Sequence, residues 1–461
     1  MSAKDVSETD HSKGWQDSDS ATMSLNDALV LAIGSQREGR LAEAAHIYRQ
    51  ILAVVPECVD ALHFLGVAEH QVGHSEAAFQ LMDRAIALAP EHADALNNRG
   101  NMYRSLRRLD EAEADYRRAL ALSPGNPNTL SNLGTVLHAR GDLEGAAAAF
   151  REVIARNPDH SPAWQNLGGV LENMRRGAEA LDAFREAARL APDSAETYLD
   201  LGRALYREGR LSEAAEMYRR CLAFSPGDAR AQHLLAACTG EGAPAHASEA
   251  YVRAEFDEFA PTFDAMLARL EYCGPALVAQ AVEEIAANLS PELVVLDAGC
   301  GTGLCGPMLR SRARVLVGVD LSTSMVALAR GRGAYDDLIV EELTTYLRQH
   351  ARTIDLVVSC DTFVYFGDLV EVIAAAAEAL RPGGALVFTV ERAEPGDAQA
   401  GYRLNPHGRY SHTREYVAKV LGEAGFAFVA IRDVSTRKEG AQWVPSLLVR
   451  ACIAQCPSRN P

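Results

Sequence analysis

The N-terminal half of the chain repeats one hydrophobic pattern every 34 residues. Alanines stand at 44, 78, 112, 146, 180 and 214. Four residues after each comes a large apolar side chain: Tyr48, Met82, Tyr116, Phe150, Phe184 and Tyr218. Residues four apart share one face of a helix, so each pair predicts an amphipathic helix. Glycines at 66, 100, 134, 168 and 202 keep the same period, as do prolines at 56, 90, 124, 158, 192 and 226. The glycine lets the first helix approach its neighbour closely, and the proline ends the second. Each unit therefore reads as two short helices and a turn. Past residue 293 the period changes. Short apolar runs at 293–297, 314–320, 338–340, 354–360 and 385–390 alternate with helical stretches near 304–311, 322–331, 368–381 and 412–424. That alternation predicts a parallel sheet with helices on both faces, and 426–431 with 444–451 predicts a final antiparallel pair.

The repeat landmarks resemble those of the tetratricopeptide repeat (TPR). Six repeats cover about 25–228, the first with Ala32 where glycine is expected, and 229–240 predicts a capping helix. The solenoid is thus expected over 23–240, and the polar residues 1–22 are expected to be a disordered leader. A solenoid implies a concave face that binds a protein or peptide. The sixth position of successive repeats is Phe64, Asn98, Asn132, Asn166 and Asp200. Asn98, Asn132 and Asn166 could form a ladder that pairs with the backbone of an extended peptide, since each amide both donates and accepts. This resembles the asparagine ladder in the TPR superhelix of O-linked N-acetylglucosamine transferase. The alternative is a hydrogen-bonding role within the repeats.

Composition narrows the partners. A chain of 461 residues exceeds one ordinary core. With 48% hydrophobic and 23% charged residues it has a globular composition, and no apolar run reaches membrane-spanning length. A net charge of −17 makes nucleic acid a poor partner. Nine cysteines lack any zinc spacing, so free thiols in a reducing cytoplasm and no metal site are expected.

The Gly/Pro break at 239–244 predicts a domain boundary, with a second domain over 245–456. Residues 254–264, Ala-Glu-Phe-Asp-Glu-Phe-Ala-Pro-Thr-Phe-Asp, resemble a helix that precedes many methyltransferase cores and often covers the cofactor. The plain reading is an amphipathic helix with aromatic core residues. The run 297–303, Asp-Ala-Gly-Cys-Gly-Thr-Gly, follows a strand and allows a ligand close to the backbone. Its spacing is G-x-G-x-G, unlike the dinucleotide fingerprint G-x-G-x-x-G. Asp297 would repel a pyrophosphate but suits an ammonium group. Asp320 ends the next strand, where a carboxylate can accept from both hydroxyls of a ribose.

These residues resemble a class I S-adenosylmethionine (SAM) dependent methyltransferase, of the type 11/12 grouping that carries TPR repeats in bacteria. The resemblance implies a TPR α-solenoid followed by a Rossmann-like seven-stranded domain, with SAM as cofactor. It implies cofactor contacts from Asp297, Gly299, Cys300, Gly301 and Gly303 in the loop. Asp320 and Leu321 would hold the ribose and Met325 would pack near the adenine. Either Glu341 or Glu342 would face the adenine, Glu342 aligning better because Leu343 then starts a helix. Cys360 would close the site at the end of the fourth strand.

SAM carries its own activated methyl group, so a general base is needed only where the nucleophile must lose a proton. Asp361, Tyr365 and His412 are the catalytic candidates, with Glu391 and Tyr410 nearby. The expected activity is methyl transfer, the TPR arm recruiting a protein or peptide acceptor. A small-molecule acceptor with the arm used for assembly, or a non-catalytic scaffold, are the alternatives. Nothing in the motifs names the acceptor.

Overall fold

The computed structural model describes residues 15–16, 22–286, 292–396, 398, 400–440 and 442–454. Most of the expected leader lies outside the described residues, apart from a short antiparallel pairing of Trp15–Gln16 with Thr22–Met23. The chain divides into two compact units, Met1–Pro192 and Asp193–Pro461. Among the described residues no helix is long and apolar enough to cross a membrane, and no group of His, Cys, Asp or Glu is placed to hold a metal.

Among the described residues the first unit contains ten helices in five pairs, from Leu25–Arg37 to Gly177–Leu190. The second helices end at Val54, Leu88, Leu122, Arg156 and Leu190, each two residues short of a proline. The periodic glycine and the periodic aromatic are two halves of one contact. A Cβ built on Gly100 would lie 2.6 Å from the ring of Tyr116, one on Gly134 2.8 Å from Phe150, and one on Gly168 2.7 Å from Phe184. These rings are buried and cannot swing away cheaply. Gly34, inside the first helix, faces open space instead. Gly100→Ala is therefore expected to destabilise the first unit by about 1–3 kcal/mol, whereas Gly34→Ala should stabilise it by about 0.5–1 kcal/mol through helix propensity. Circular-dichroism melts of the two variants should shift in opposite directions.

The asparagine row is used inside the array. Asn98 Nδ2 lies 2.7 Å from His63 Nε2 of the preceding repeat, and Asn132 Nδ2 donates to Asn97 Oδ1 at 3.1 Å. Both amides thus stitch successive repeats together, which corrects the picture of a ladder wholly free for peptide. Asn166 is exposed.

The second unit opens with helices Ala195–Arg207, Leu211–Phe224 and Ala229–Thr239. They fall in the same compact unit as the sheet that follows, although they continue the repeat pattern up to the 239–244 break. The sheet strands are β1 (Leu293–Ala298), β2 (Ala313–Asp320), β3 (Asp337–Val340), β4 (Ile354–Ser359), β5 (Leu380–Arg392), β6 (Phe426–Glu439) and β7 (Gln442–Ile453). Their order is β3-β2-β1-β4-β5-β7-β6. β1 to β5 run parallel, β7 runs antiparallel to β5, and β6 pairs antiparallel with β7. Two three-residue strands, Tyr402–Leu404 and Tyr410–His412, lie off this path, the second parallel to the end of β5.

Alternate strand residues feed two cores, as a sheet covered on both faces requires. Leu296, Val357, Leu386 and Val449 pack with Val372 and Leu421 on one face. Val295, Leu356, Val387 and Leu448 pack with Val278 and Leu309 on the other. The strand order reverses at β1, and a doubly wound sheet opens a crevice beyond its strand ends at that point.

Candidate active site

The loop after β1 is shaped by glycine. Gly299 has φ +77°, and a Cβ there would collide with Thr362. Gly301 has φ +53° and no atom within 4 Å of a built Cβ, so its backbone faces open space. Asp320, at the end of β2, braces this loop. Its Oδ2 accepts from Gly301 N at 2.9 Å and its Oδ1 from Ser322 N at 2.9 Å. Burial raises the Asp320 carboxyl, against the pull of those amides. Ser322 also caps helix Thr323–Gly331, accepting from Met325 N at 3.1 Å.

A cavity of about 540 Å³ lies beyond the strand ends, a volume typical of small-molecule sites. It brings together Gly299, Cys300, Gly301, Asp320, Leu321, Glu342, Leu343, Cys360, Asp361 and Tyr365. Four expected cofactor or catalytic residues are not among its lining residues. Asp297 is buried and accepts from the Tyr335 hydroxyl at 2.6 Å, and burial pushes its carboxyl up to about 7. Gly303, at φ +83°, packs against Tyr335 and Ala329. Met325 is fully buried in the first turn of its helix and does not reach the cavity lining. His412 is fully buried as well, with Nε2 2.8 Å from the Phe366 carbonyl oxygen and 3.0 Å from that of Gly367. Burial lowers its pKa to about 4. It fixes the loop after β4 and is not a base in the cavity.

Glu391 and Tyr410 stand behind the lining too. Tyr410 is buried and its hydroxyl donates to the Pro244 carbonyl at 2.7 Å. Burial alone would raise the Glu391 carboxyl, but Arg409, His407 and Arg437 hold it well below the usual carboxylate range. Glu342 lines the cavity while capping helix Leu343–Gln349, accepting from Thr344 N at 2.8 Å and Thr345 N at 2.7 Å. Burial opposes its charge, yet those amides keep its pKa lowered. Asp361 sits at φ +54°, with Oδ1 accepting from Thr389 Oγ1 at 2.6 Å and Oδ2 from Arg437 Nη1 at 3.1 Å. Burial raises the Tyr365 hydroxyl to about 12, so it is a neutral donor near pH 7.

The segment at 254–264 roofs this cavity. It forms helix Glu249–Phe259 and helix Phe263–Arg269, whose Phe256, Phe259, Phe263 and Met266 line the space. Two carboxylates clip this lid down. Asp257 accepts from Ser322 Oγ at 2.5 Å and Ser324 N at 3.2 Å, and Asp264 from Thr302 Oγ1 at 2.6 Å and from Arg332. The three helices that open the unit also hold the lid. Arg203 pairs with the buried Glu255 and sits 5.7 Å from the Phe259 ring centre, and Arg230 pairs with Glu258 at 2.9 Å. His233 stacks on Tyr251 at 3.9 Å between centroids, and its Nε2 lies 2.8 Å from the Gly408 carbonyl oxygen. Arg409, Arg437 and Glu439 also line the cavity, and the motifs did not point to them. Arg437 and Glu439 come from the polar end of β6, past residue 431 where the apolar pattern stops.

A family model for a methyltransferase domain matches residues 295–384. Models for the tetratricopeptide repeat match 29–91, 93–126, 131–195 and 174–238. A malonyl-[acyl-carrier protein] O-methyltransferase of Priestia megaterium is 26% identical over 193 residues, 40% of this chain and 65% of that protein. A ubiquinone biosynthesis O-methyltransferase of Mesorhizobium japonicum is 28% identical over 169 residues, 33% of this chain and 68% of that protein. The chain thus spans about two thirds of the length of these relatives. Among solved structures, the pilF protein of Pseudomonas aeruginosa aligns with a TM-score of 0.42 and 21% identity over 46% of this chain and 96% of that one. The chain carries tetratricopeptide repeats followed by a class I methyltransferase domain.

Proposed function

We propose that this chain transfers the methyl group of SAM to an acceptor presented by a protein or peptide that its repeat arm recruits. The observation that carries the reading is the convergence of the glycine loop, Asp320 and the acidic pair Glu341 and Glu342 on one roofed cavity at the strand ends. These residues fit SAM. The open side of Gly301 leaves room for a ligand against the backbone. Asp320 stands where ribose hydroxyls can be held, the acidic pair suits an adenine amino group, and the aromatic lid suits its apolar body. Bound there, SAM supplies a methyl group activated by its sulfonium. The chain's own residues orient the acceptor and exclude water. Asp361 is committed to Thr389 and Arg437, and Tyr365 keeps its proton, so both act as positioning groups in this reading.

Asp297 gives the reading a pH signature. Its folded pKa of about 7 exceeds an unfolded value of about 3.9. Its contribution to stability without ligand is therefore full below about pH 4 and lost as pH rises through 7. A cation held across the loop favours the ionised carboxylate. SAM binding should thus release a proton below pH 7, and affinity should rise from pH 5.5 to 8. Calorimetry in two buffers of different ionisation enthalpy measures that release, and Asp297→Asn should abolish it.

Recruitment is tested by incubating the full chain with methyl-labelled SAM and cell lysate. Acid-precipitable label on protein bands is expected. Label confined to the small-molecule fraction would instead favour a free small-molecule acceptor, a reading supported by the names of the two relatives.

A further inference from the structure

We propose that the acceptor bears a carboxylate, received by Arg409 and Arg437 in exchange for Glu439. The inference rests on the methyl-transfer reading and concerns the same cavity. Arg437 reaches it from the end of β6, with a side chain only 6% exposed. Arg409 reaches it from the loop before Tyr410–His412, beside Gly408, whose carbonyl oxygen is held by His233. Two guanidiniums so near each other repel unless anions lie between them.

Three carboxylates do so, and they are not equivalent. Glu391 is buried on β5, accepts from Arg409 Nε at 2.7 Å, and is shared with Arg437. Asp361 is locked by Thr389 as well as Arg437. These two are fixed counter-ions. Glu439 differs. It closes β6 beside Gly440, its side chain is 41% exposed, and it accepts from Arg437 Nε at 3.1 Å and from Arg409 Nη2. A carboxylate of the chain itself thus bridges the two guanidiniums at the edge of the cavity.

Guanidinium forks match carboxylates in shape and charge. Glu439 shows that the pair presents donors to a single carboxylate. Being 41% exposed at a strand end, it can swing into water once another anion takes its place between the guanidiniums. The exchange replaces one negative charge by another, so the charge facing Arg409 and Arg437 beside Glu391 and Asp361 is unchanged. A phosphate dianion would bring one more negative charge than the Glu439 carboxylate it displaces, and a neutral amide would leave the arginines short of an acceptor.

The test titrates the full chain with benzoate, benzamide and inorganic phosphate by calorimetry, with and without S-adenosylhomocysteine. Glu439→Gln removes the internal competitor and is expected to tighten benzoate at least tenfold. Adding Arg409→Lys, which keeps the charge but loses the fork, should reverse that gain. Benzamide should bind neither form. Unchanged benzoate affinity in Glu439→Gln, a gain that survives Arg409→Lys, or a preference for phosphate would overturn the proposal. Failure of S-adenosylhomocysteine to bind would count against the methyltransferase reading separately, because the carboxylate exchange is also read in its absence.

Discussion

Asp320→Ala is expected to weaken SAM binding by about 3 kcal/mol, roughly a hundredfold, measured by calorimetry. The side chain has two tasks that fail together. It holds the backbone amides of Gly301 and Ser322, each at 2.9 Å, and in the proposed reading it accepts from the ribose. Removing it leaves two partly buried amides unpaired and frees a loop whose glycines have no side chains to anchor it. Asp320→Asn keeps the shape and one acceptor oxygen, so its loss should be smaller. Normal SAM affinity in Asp320→Ala would remove the ribose assignment and, with it, the main support for the cofactor.

Arg203→Ala should weaken SAM binding about tenfold although Arg203 belongs to a repeat helix. The guanidinium pairs with Glu255 beneath the lid, both side chains being at least four-fifths buried. Breaking a buried pair by removing one partner costs about 3–5 kcal/mol, because the other charge is left uncompensated. That cost falls on helix Glu249–Phe259, whose Glu255, Phe256 and Phe259 line the cavity. Hydrogen exchange along this helix should quicken in Arg203→Ala and be largely restored in the double variant Arg203→Ala/Glu255→Gln. Arg230→Ala should do less, because its partner Glu258 is half exposed and such pairs are worth about 1 kcal/mol or less. Unchanged exchange in Arg203→Ala would show that the lid does not depend on the repeat helix.

The same residues show how far sequence reading reaches. The repeats were legible because their defining contact is local. Gly100 and Tyr116 lie 16 positions apart, on two helices joined by a tight turn, so the period survives in one sequence. The loop at 297–303 was legible for a similar reason: its glycines answer to backbone angles. The roof was half legible, since aromatic spacing at 254–264 shows an apolar face but not what it covers.

Other assignments depended on what lies across space. His412 was a reasonable base by residue type, but it faces the carbonyls of Phe366 and Gly367 inside the protein. Met325 turned into the core because the Ser322 cap sets the first turn of its helix. Arg437 and Glu439 were passed over because a strand recognised by apolar alternation ends, on the sequence, where β6 turns polar. β6 continues because it pairs with β7, whose partner β5 is central to the sheet.

By itself, then, the sequence determined the two architectures and the glycine loop with Asp320 at the next strand end, all of which rest on short-range periodicity and backbone geometry. Only the tertiary structure decided that the last repeat helices contact the lid helix, that the lid is held through Arg203, and that two arginines meet one exposed carboxylate in the cavity. Those arrangements join residues from distant segments, such as Arg203 with Glu255 or Arg409 with Glu439. Their pairing is set by desolvated charges brought together on folding, and one-dimensional spacing does not record it.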